Sequence, residues 1–268
     1  TPFFMKGVFL LFLGFQLLGT PLVYAQDVMV KIGQSDSLYS YILNENRNVI
    51  ISLPKAYETS TKSYPVLYLL DGSENNLIDA RLVAYNLKTE MIIVAIANTN
   101  RDRDMMPLSR PSYEVEDPKA KDFLLFLEKE LIPHIEKKYR TTNERTIRGR
   151  SLSGLFVMYA FLAKPELFDN YIGTCAGWFA DMDDFFSEFI EKALNDKDRF
   201  NGKTLFVGNS LSDPLDPNQE IHKSVVDFSK TLHLHLQDQV KFNYKTYENA
   251  GHVPYAAFYD GMKFISEK

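Results

Sequence analysis

The chain has 268 residues, a formal charge of −5 at pH 7 and no basic run interleaved with aromatics, so neither nucleic acid nor an anionic membrane surface is an expected partner. Its single cysteine, Cys175, excludes an internal disulfide and a cysteine-based metal cluster, and its five histidines include no H-E-x-x-H pair. Neither a metal nor an organic cofactor is expected.

Taken in chain order, Met5 and the single Lys6 precede an apolar run from Gly7 to Leu18, followed by Gly19-Thr20-Pro21 and Val23-Tyr24-Ala25. That order is expected of a secretory signal cleaved after Ala25, with Thr1 to Phe4 standing ahead of the start methionine. The apolar run is well short of the roughly 20 residues a bilayer span needs, so no stable membrane anchor is expected after cleavage. Gln26 rather than a cysteine follows the cut, which does not suit a lipoprotein. The expected organisation is a signal peptide over 1–25 and a single domain over 26–268, exported to a bacterial periplasm or the extracellular space.

Within that domain, Asp27 to Gln34 and Leu38 to Pro54 read as an extended, antiparallel start to a sheet. Tyr64 to Leu70 is a continuous apolar run ending at Asp71-Gly72, and Met91 to Ala97 is a second; both have the pattern of fully buried strands. The segment Asn98 to Asp117 reads as a long loop. Lys119 to Tyr139 carries apolar residues at helical spacing: Phe123, Leu124, Phe126, Leu127, Leu131 and Ile135. A short strand, Glu144 to Arg148, then meets a buried helix, Leu155 to Ala163, through Gly149-Arg150-Ser151-Leu152-Ser153-Gly154. A strand at Tyr171 to Cys175, a helix at Met182 to Leu194, a strand at Thr204 to Val207, a helix at Gln219 to Leu236, a strand at Val240 to Tyr247 and a helix at Pro254 to Ser266 complete the alternation. Such alternation predicts an α/β fold, a mostly parallel central sheet with helices on both faces. In that architecture ligands sit beyond the carboxyl ends of the strands.

Candidate chemistry falls at those ends. A serine between small residues at a strand-to-helix junction suits a nucleophile elbow, and Ser151 occupies that place, although Ser153 stands where G-x-S-x-G has its last glycine and Gly154 follows one residue late. The backbone N–H of Leu152, at the helix start, would face a developing oxyanion. A serine nucleophile needs a histidine base and a carboxylate that orients it, in chain order serine, acid, histidine. His252, in the loop after the last strand, fits the base. Asp213, in the loop after the penultimate strand, is the first candidate for the acid; Asp216 and Glu248 are others, and a Ser-His dyad is a further arrangement. Asp213 and Asp216 both precede proline, where an aspartate also shapes turns and caps helices. The turn at Gly72-Ser73 offers backbone N–H groups for a second oxyanion donor. Trp178 is placed either in a pocket wall or in the core, and Arg101, Arg103 and Arg110 either present guanidinium groups to an anionic substrate or belong to a solvated loop.

Tyr64 to Ser73, Ile93 to Pro107, the run from Phe123 to Tyr159 and Asn249 to Tyr255 with Tyr259 to Phe264 together resemble the esterase family of α/β-hydrolases, in the branch of enterochelin (ferric siderophore) esterases and esterase D-like enzymes. The likeness covers roughly Ile32 to Ile265. It implies an α/β-hydrolase fold with its nucleophile at Ser151, its base at His252 and its oxyanion amides at Gly72, Ser73 and Leu152. Two positions depart from the family pattern: Arg150 replaces a histidine, and Ser153 replaces the first of two glycines. Arg150 beside the nucleophile suits an anionic substrate or a neighbouring carboxylate. The expected function is an exported serine esterase acting on carboxylic esters, siderophore-type esters among them. A carbohydrate (feruloyl or acetyl) esterase is the alternative substrate class, so the expected partner is a small-molecule or glycan ester. A catalytically weak or inactive binding protein on the same fold is the alternative of another class.

Overall fold

The computed structural model describes residues 30–109, 115, 117–177, 183–252 and 255–267. From Ile32 onward the described residues form one compact unit. The expected signal peptide, Arg110 and Trp178 lie outside the described residues.

Eight strands form a single sheet: β1 (Gln34–Ser40), β2 (Glu45–Ser52), β3 (Tyr64–Leu69), β4 (Ile92–Ile96), β5 (Thr141–Arg150), β6 (Asn170–Thr174), β7 (Lys203–Ser210) and β8 (Val240–Tyr247). Their spatial order is β1-β2-β4-β3-β5-β6-β7-β8. The pairs β1–β2 and β2–β4 are antiparallel, and every pair from β4–β3 to β7–β8 is parallel. β3, β4 and β6 are buried almost throughout, as continuous apolar runs require when helices cover both faces. The antiparallel start has other bounds than the sequence suggests. The extended reading of 38–54 is broken at 41–44, where Asn44 takes a left-handed conformation (φ 55°). Glu130 holds that turn, its carboxylate accepting bonds from Ser40 Oγ and from the amides of Tyr41 and Ile42.

One face of the sheet is covered by α3 (Ala120–Phe126), α4 (Ile132–Lys138), α5 (Leu152–Ala163), α6 (Asp183–Leu194) and α7 (Glu220–Leu236), around a core including Phe123, Phe126, Phe156 and Phe161. The other face is covered by α1 (Glu74–Asn86) and α8 (Tyr255–Ser266), with Leu77, Val83, Phe258 and Met262 against Leu67, Leu69 and Ile93. A short α2 (Arg101–Met105) occupies the segment that reads as a loop. Its first turn is capped by Asn100, whose side chain accepts from the Arg103 amide at 3.1 Å. Between α3 and α4, Leu127–Leu131 winds as a π-helical turn, just ahead of Pro133 at the start of α4, a residue that has no N–H to continue the ladder.

The last helix decides where the final loop goes. Gly208 of β7 and Gly261 of α8 leave no room for a side chain: a Cβ at Gly208 would lie 2.9 Å from Ala257, and one at Gly261 2.7 Å from Ile172 of β6. α8 therefore crosses back beneath β7 and β6, and Phe258 reaches β5, where it lies under the Arg148 guanidinium at 4.4 Å. The loop that leaves β8 with His252 meets the loop that leaves β7, the Ala250 amide donating to Ser212 Oγ at 3.0 Å.

Candidate active site

Three neighbouring strands end in residues with left-handed backbone: Asp71 after β3 (φ 54°), Ser151 after β5 (φ 55°) and Cys175 after β6 (φ 42°). None is a glycine, and each such conformation costs on the order of 1 kcal/mol or more. All three lie at the carboxyl ends of adjacent strands, the edge where ligands of open α/β sheets bind.

Ser151 sits at the tip of a turn with φ 55° and ψ −127°. The turn closes because Gly149 has no side chain: a Cβ there would lie 2.1 Å from the Ser153 carbonyl oxygen. Gly154 supplies the second close approach, since a Cβ at that position would lie 2.8 Å from the Thr174 carbonyl oxygen of β6. The glycine that G-x-S-x-G places at 153 is thus needed at 154 in this chain. The Ser151 amide donates to the Thr174 carbonyl at 3.0 Å and its carbonyl accepts from Gly177 at 2.9 Å, which fixes the elbow to β6.

His252 Nδ1 lies 2.6 Å from Asp213 Oδ2, with Asp213 nearly buried (9% exposed) and His252 a quarter exposed. This contact separates the acid candidates. Asp216 belongs to the helix instead: its carboxylate accepts from the amides of Ile221 and His222 at 3.1 and 2.7 Å, capping the start of α7. Glu248 is exposed. The Asp213 side chain also accepts from the Leu215 amide at 2.9 Å, which holds the carboxylate in its loop.

The oxyanion candidates divide. The Gly72 amide donates to the Ile96 carbonyl at 2.7 Å, so it is engaged in the sheet and is withdrawn from the expected donor set. Gly72 is required for another reason: a Cβ there would lie 2.3 Å from the Ile96 nitrogen. The amides of Ser73 and Leu152 have no acceptor among the described residues. Both lie at helix N-termini, of α1 and α5, where the backbone dipoles favour negative charge. A cavity of about 620 Å³ opens beside the turn, lined by Asp36, Ser37, Asn48, Gly72, Ser73 and Glu74. A second, of about 650 Å³, runs between α6 and α7 and contains none of the candidate site residues.

The proposed substrate arginines are corrected by their partners. Arg103 donates to both oxygens of Glu45 at 2.7 and 3.0 Å and to Asp104, inside a cluster with the fully buried Arg47; it fastens α2 to β2. Arg101 grips Asp71, Nε to Oδ1 at 2.7 Å and Nη2 to Oδ2 at 3.0 Å. Long-range pairing of this kind leaves no local signature, so neither role was visible in the sequence. Arg150 is half-buried, and its guanidinium has no ion pair among the described residues. Cys175 is a buried thiol that burial pushes up to about 12, which removes it as a nucleophile at neutral pH. No group of His, Cys, Asp and Glu suited to a metal ion occurs among the described residues.

Sheet order, elbow and histidine loop together define an α/β-hydrolase. The sequence model of the family described as Putative esterase matches residues 40–213, and the chain belongs to that family. A ferri-bacillibactin esterase, BesA, of Bacillus subtilis (strain 168) is 33% identical over 157 residues, 48% of this chain and 53% of that protein. This chain spans about half the length of the curated relatives it matches. Among solved structures, an IroE-like serine hydrolase from Shewanella oneidensis superposes with a TM-score of 0.76 at 30% identity, covering 86% of this chain and 79% of that one. The BES protein from Bacillus cereus superposes with a TM-score of 0.75 at 21% identity, covering 91% and 99%, and so shares the fold.

Proposed function

We propose that this protein is an exported serine esterase that hydrolyses carboxylic esters, with Ser151 as nucleophile, His252 as base and Asp213 as the group that orients it. The observation that carries the reading is the 2.6 Å contact between His252 and Asp213, which joins the loops that follow β8 and β7. An ionised Asp213 keeps the proton on Nδ1, which leaves Nε2 to accept one.

In the reaction, Ser151 Oγ bonds to the ester carbonyl carbon as its proton passes to His252 Nε2. The carbonyl oxygen becomes an oxyanion facing the amides of Leu152 and Ser73. Collapse breaks the bond to the leaving alkoxide, which takes the proton from His252. Water then attacks the acyl-serine, giving its proton to His252, and the acid leaves as Ser151 recovers a proton. No step needs a group outside the chain and water.

Siderophore-type esters are the proposed substrate class, on the strength of the matching relatives. Arg150, which has no ion pair among the described residues, stands next to the nucleophile and favours an anionic ester over a neutral one. Export is proposed on the leader-like order of residues 5–25. A panel of aryl esters, a feruloylated sugar and a cyclic siderophore lactone, offered to wild type and Ser151→Ala, tests the reading. Turnover of the lactone well above the others, absent in Ser151→Ala, supports it; turnover of the feruloylated sugar alone redirects the substrate class.

A further inference from the structure

We propose that Asp71 is a positioning residue for the oxyanion site, acting through a hydrogen bond to Ser153 that couples the two halves of that site. The inference rests on the reading of Ser151 as the nucleophile. It concerns residues for which that reading has no role.

The Asp71 carboxylate is nearly buried, at 10% exposure, and both of its oxygens are occupied. Oδ1 accepts from Asn98 Nδ2 at 2.8 Å and from Arg101 Nε at 2.7 Å; Oδ2 accepts from Arg101 Nη2 at 3.0 Å and from Ser153 Oγ at 2.7 Å. A carboxylate offers about four acceptor positions, so it is saturated and unavailable as a base or as a ligand. Its backbone is fixed as well. The Asp71 carbonyl accepts from Asn76 Nδ2 at 2.6 Å, and the next amide, that of Gly72, donates to Ile96. The turn that presents the Ser73 amide is therefore set by Asp71 from both sides.

Ser153 supplies the other end. Its hydroxyl is fully buried and accepts from the Arg150 amide at 2.8 Å, one residue before Ser151. The single hydroxyl proton has two acceptors in reach, Asp71 Oδ2 and the Arg150 carbonyl at 2.8 Å; an anionic oxygen is the stronger acceptor. Arg101 Nη2 also reaches the Arg150 carbonyl, at 3.4 Å. One carboxylate thus connects the ends of β3, β4 and β5, and with them the Ser73 and Leu152 amides. Where the family pattern has glycine at 153, this bond does not exist, so the coupling is a property of this chain. The left-handed Asp71 is held in place by the same contacts.

The test uses Asp71→Asn, Ser153→Ala and the double variant. It measures kcat and KM on an aryl ester, and inhibition by a trifluoromethyl ketone whose hemiketal with Ser151 carries an oxyanion. Each single variant should lower kcat by about tenfold to a hundredfold with KM little changed. The ketone should weaken by the same factor, and the double variant should lose no more than the worse single one. A role in folding alone would lower the titratable fraction of enzyme and leave kcat per active site intact. Unchanged kcat per active site in folded Ser153→Ala overturns the proposal, as do losses that multiply in the double variant. If Asp71→Asn does not fold, Ser153→Ala decides. Hydrolysis surviving in Ser151→Ala would overturn Ser151 as the nucleophile, the reading on which the proposal rests, and is a separate outcome.

Discussion

His252 and Asp213 meet through a 2.6 Å contact between Nδ1 and Oδ2, although 39 positions separate them in the chain. The two loops that carry them leave adjacent parallel strands, β7 and β8, so the pairing follows from sheet order. Three residues further on, Asp216 caps α7. The two aspartates therefore give opposite phenotypes. Asp213→Asn should lower kcat by up to about 10⁴ with KM little changed, because the imidazole then rests in the wrong tautomer. Asp216→Ala should keep kcat and lose about 1 kcal/mol of stability with the cap. Steady-state kinetics and thermal melts on the two variants check this; equal, mild losses in both would argue for a dyad.

Acid should unfold the protein partly through Asp71. Burial alone would raise its pKa, but the hydrogen bonds and charge of Arg101, with Asn98 and Ser153, outweigh that and hold it below the ordinary carboxylate value. A carboxylate depressed in the folded state contributes stability that is present above its unfolded pKa, near 3.9 for aspartate. That stability is lost as pH falls through the lower folded value. Asp36, Glu45 and Asp260 are lowered in the same sense. The melting temperature should hold near neutrality and fall steeply below about pH 4. In Asp71→Asn the neutral-pH melting temperature should be lower and the acid slope shallower. An unchanged slope would mean that the carboxylate is not held by its partners in solution.

Arg148 is the opposite case. It is buried in β5 on the face covered by α8, its Nε has no acceptor, and its guanidinium rests on Phe258. Burial is the main cause that lowers its pKa to about 10, with the charge of Arg150 adding to it. A cation whose pKa is depressed by folding destabilises the fold while it stays protonated, and the penalty fades as pH rises through the folded value. Arg148→Met keeps the length and the contact with Phe258 without the charge. It should raise stability by about 1 kcal/mol or more at neutral pH, roughly 2–4 °C for a domain of this size. A fall in melting temperature at pH 7 would show that the guanidinium is paired.

The readable parts of the fold were those that bury both faces. β3 and β4 announce themselves as continuous apolar runs because helices cover the sheet on each side, and β8 begins and ends where its pattern does. α1 gave no such signal. Its outer face carries Ile78, Leu82 and Tyr85, all exposed, so apolar residues lie all around the helix and the 3.6-residue period is lost. Its start is marked only by Ser73, whose side chain accepts from the Asn76 amide. At the site, the positions of Ser151 after β5 and of His252 after β8 were legible because the strands that precede them were. The choice of Asp213 over Asp216 was not, since both precede proline and both suit a turn. Nor were the partners of Arg101 and Arg103, which depend on Asp71 and Glu45, 30 and 58 positions away.

Covalent labelling tests the central claim most directly. A fluorophosphonate reacts at a serine whose proton a histidine can take, so the folded protein should acquire one adduct, mapped by peptide mass spectrometry to Ser151. His252→Ala should slow labelling by orders of magnitude, and Ser151→Ala should abolish both labelling and ester hydrolysis, apart from the residual catalysis of the oxyanion amides. An adduct on another residue, or Ser151→Ala hydrolysing esters at more than a few per cent of the wild-type rate, would contradict the account.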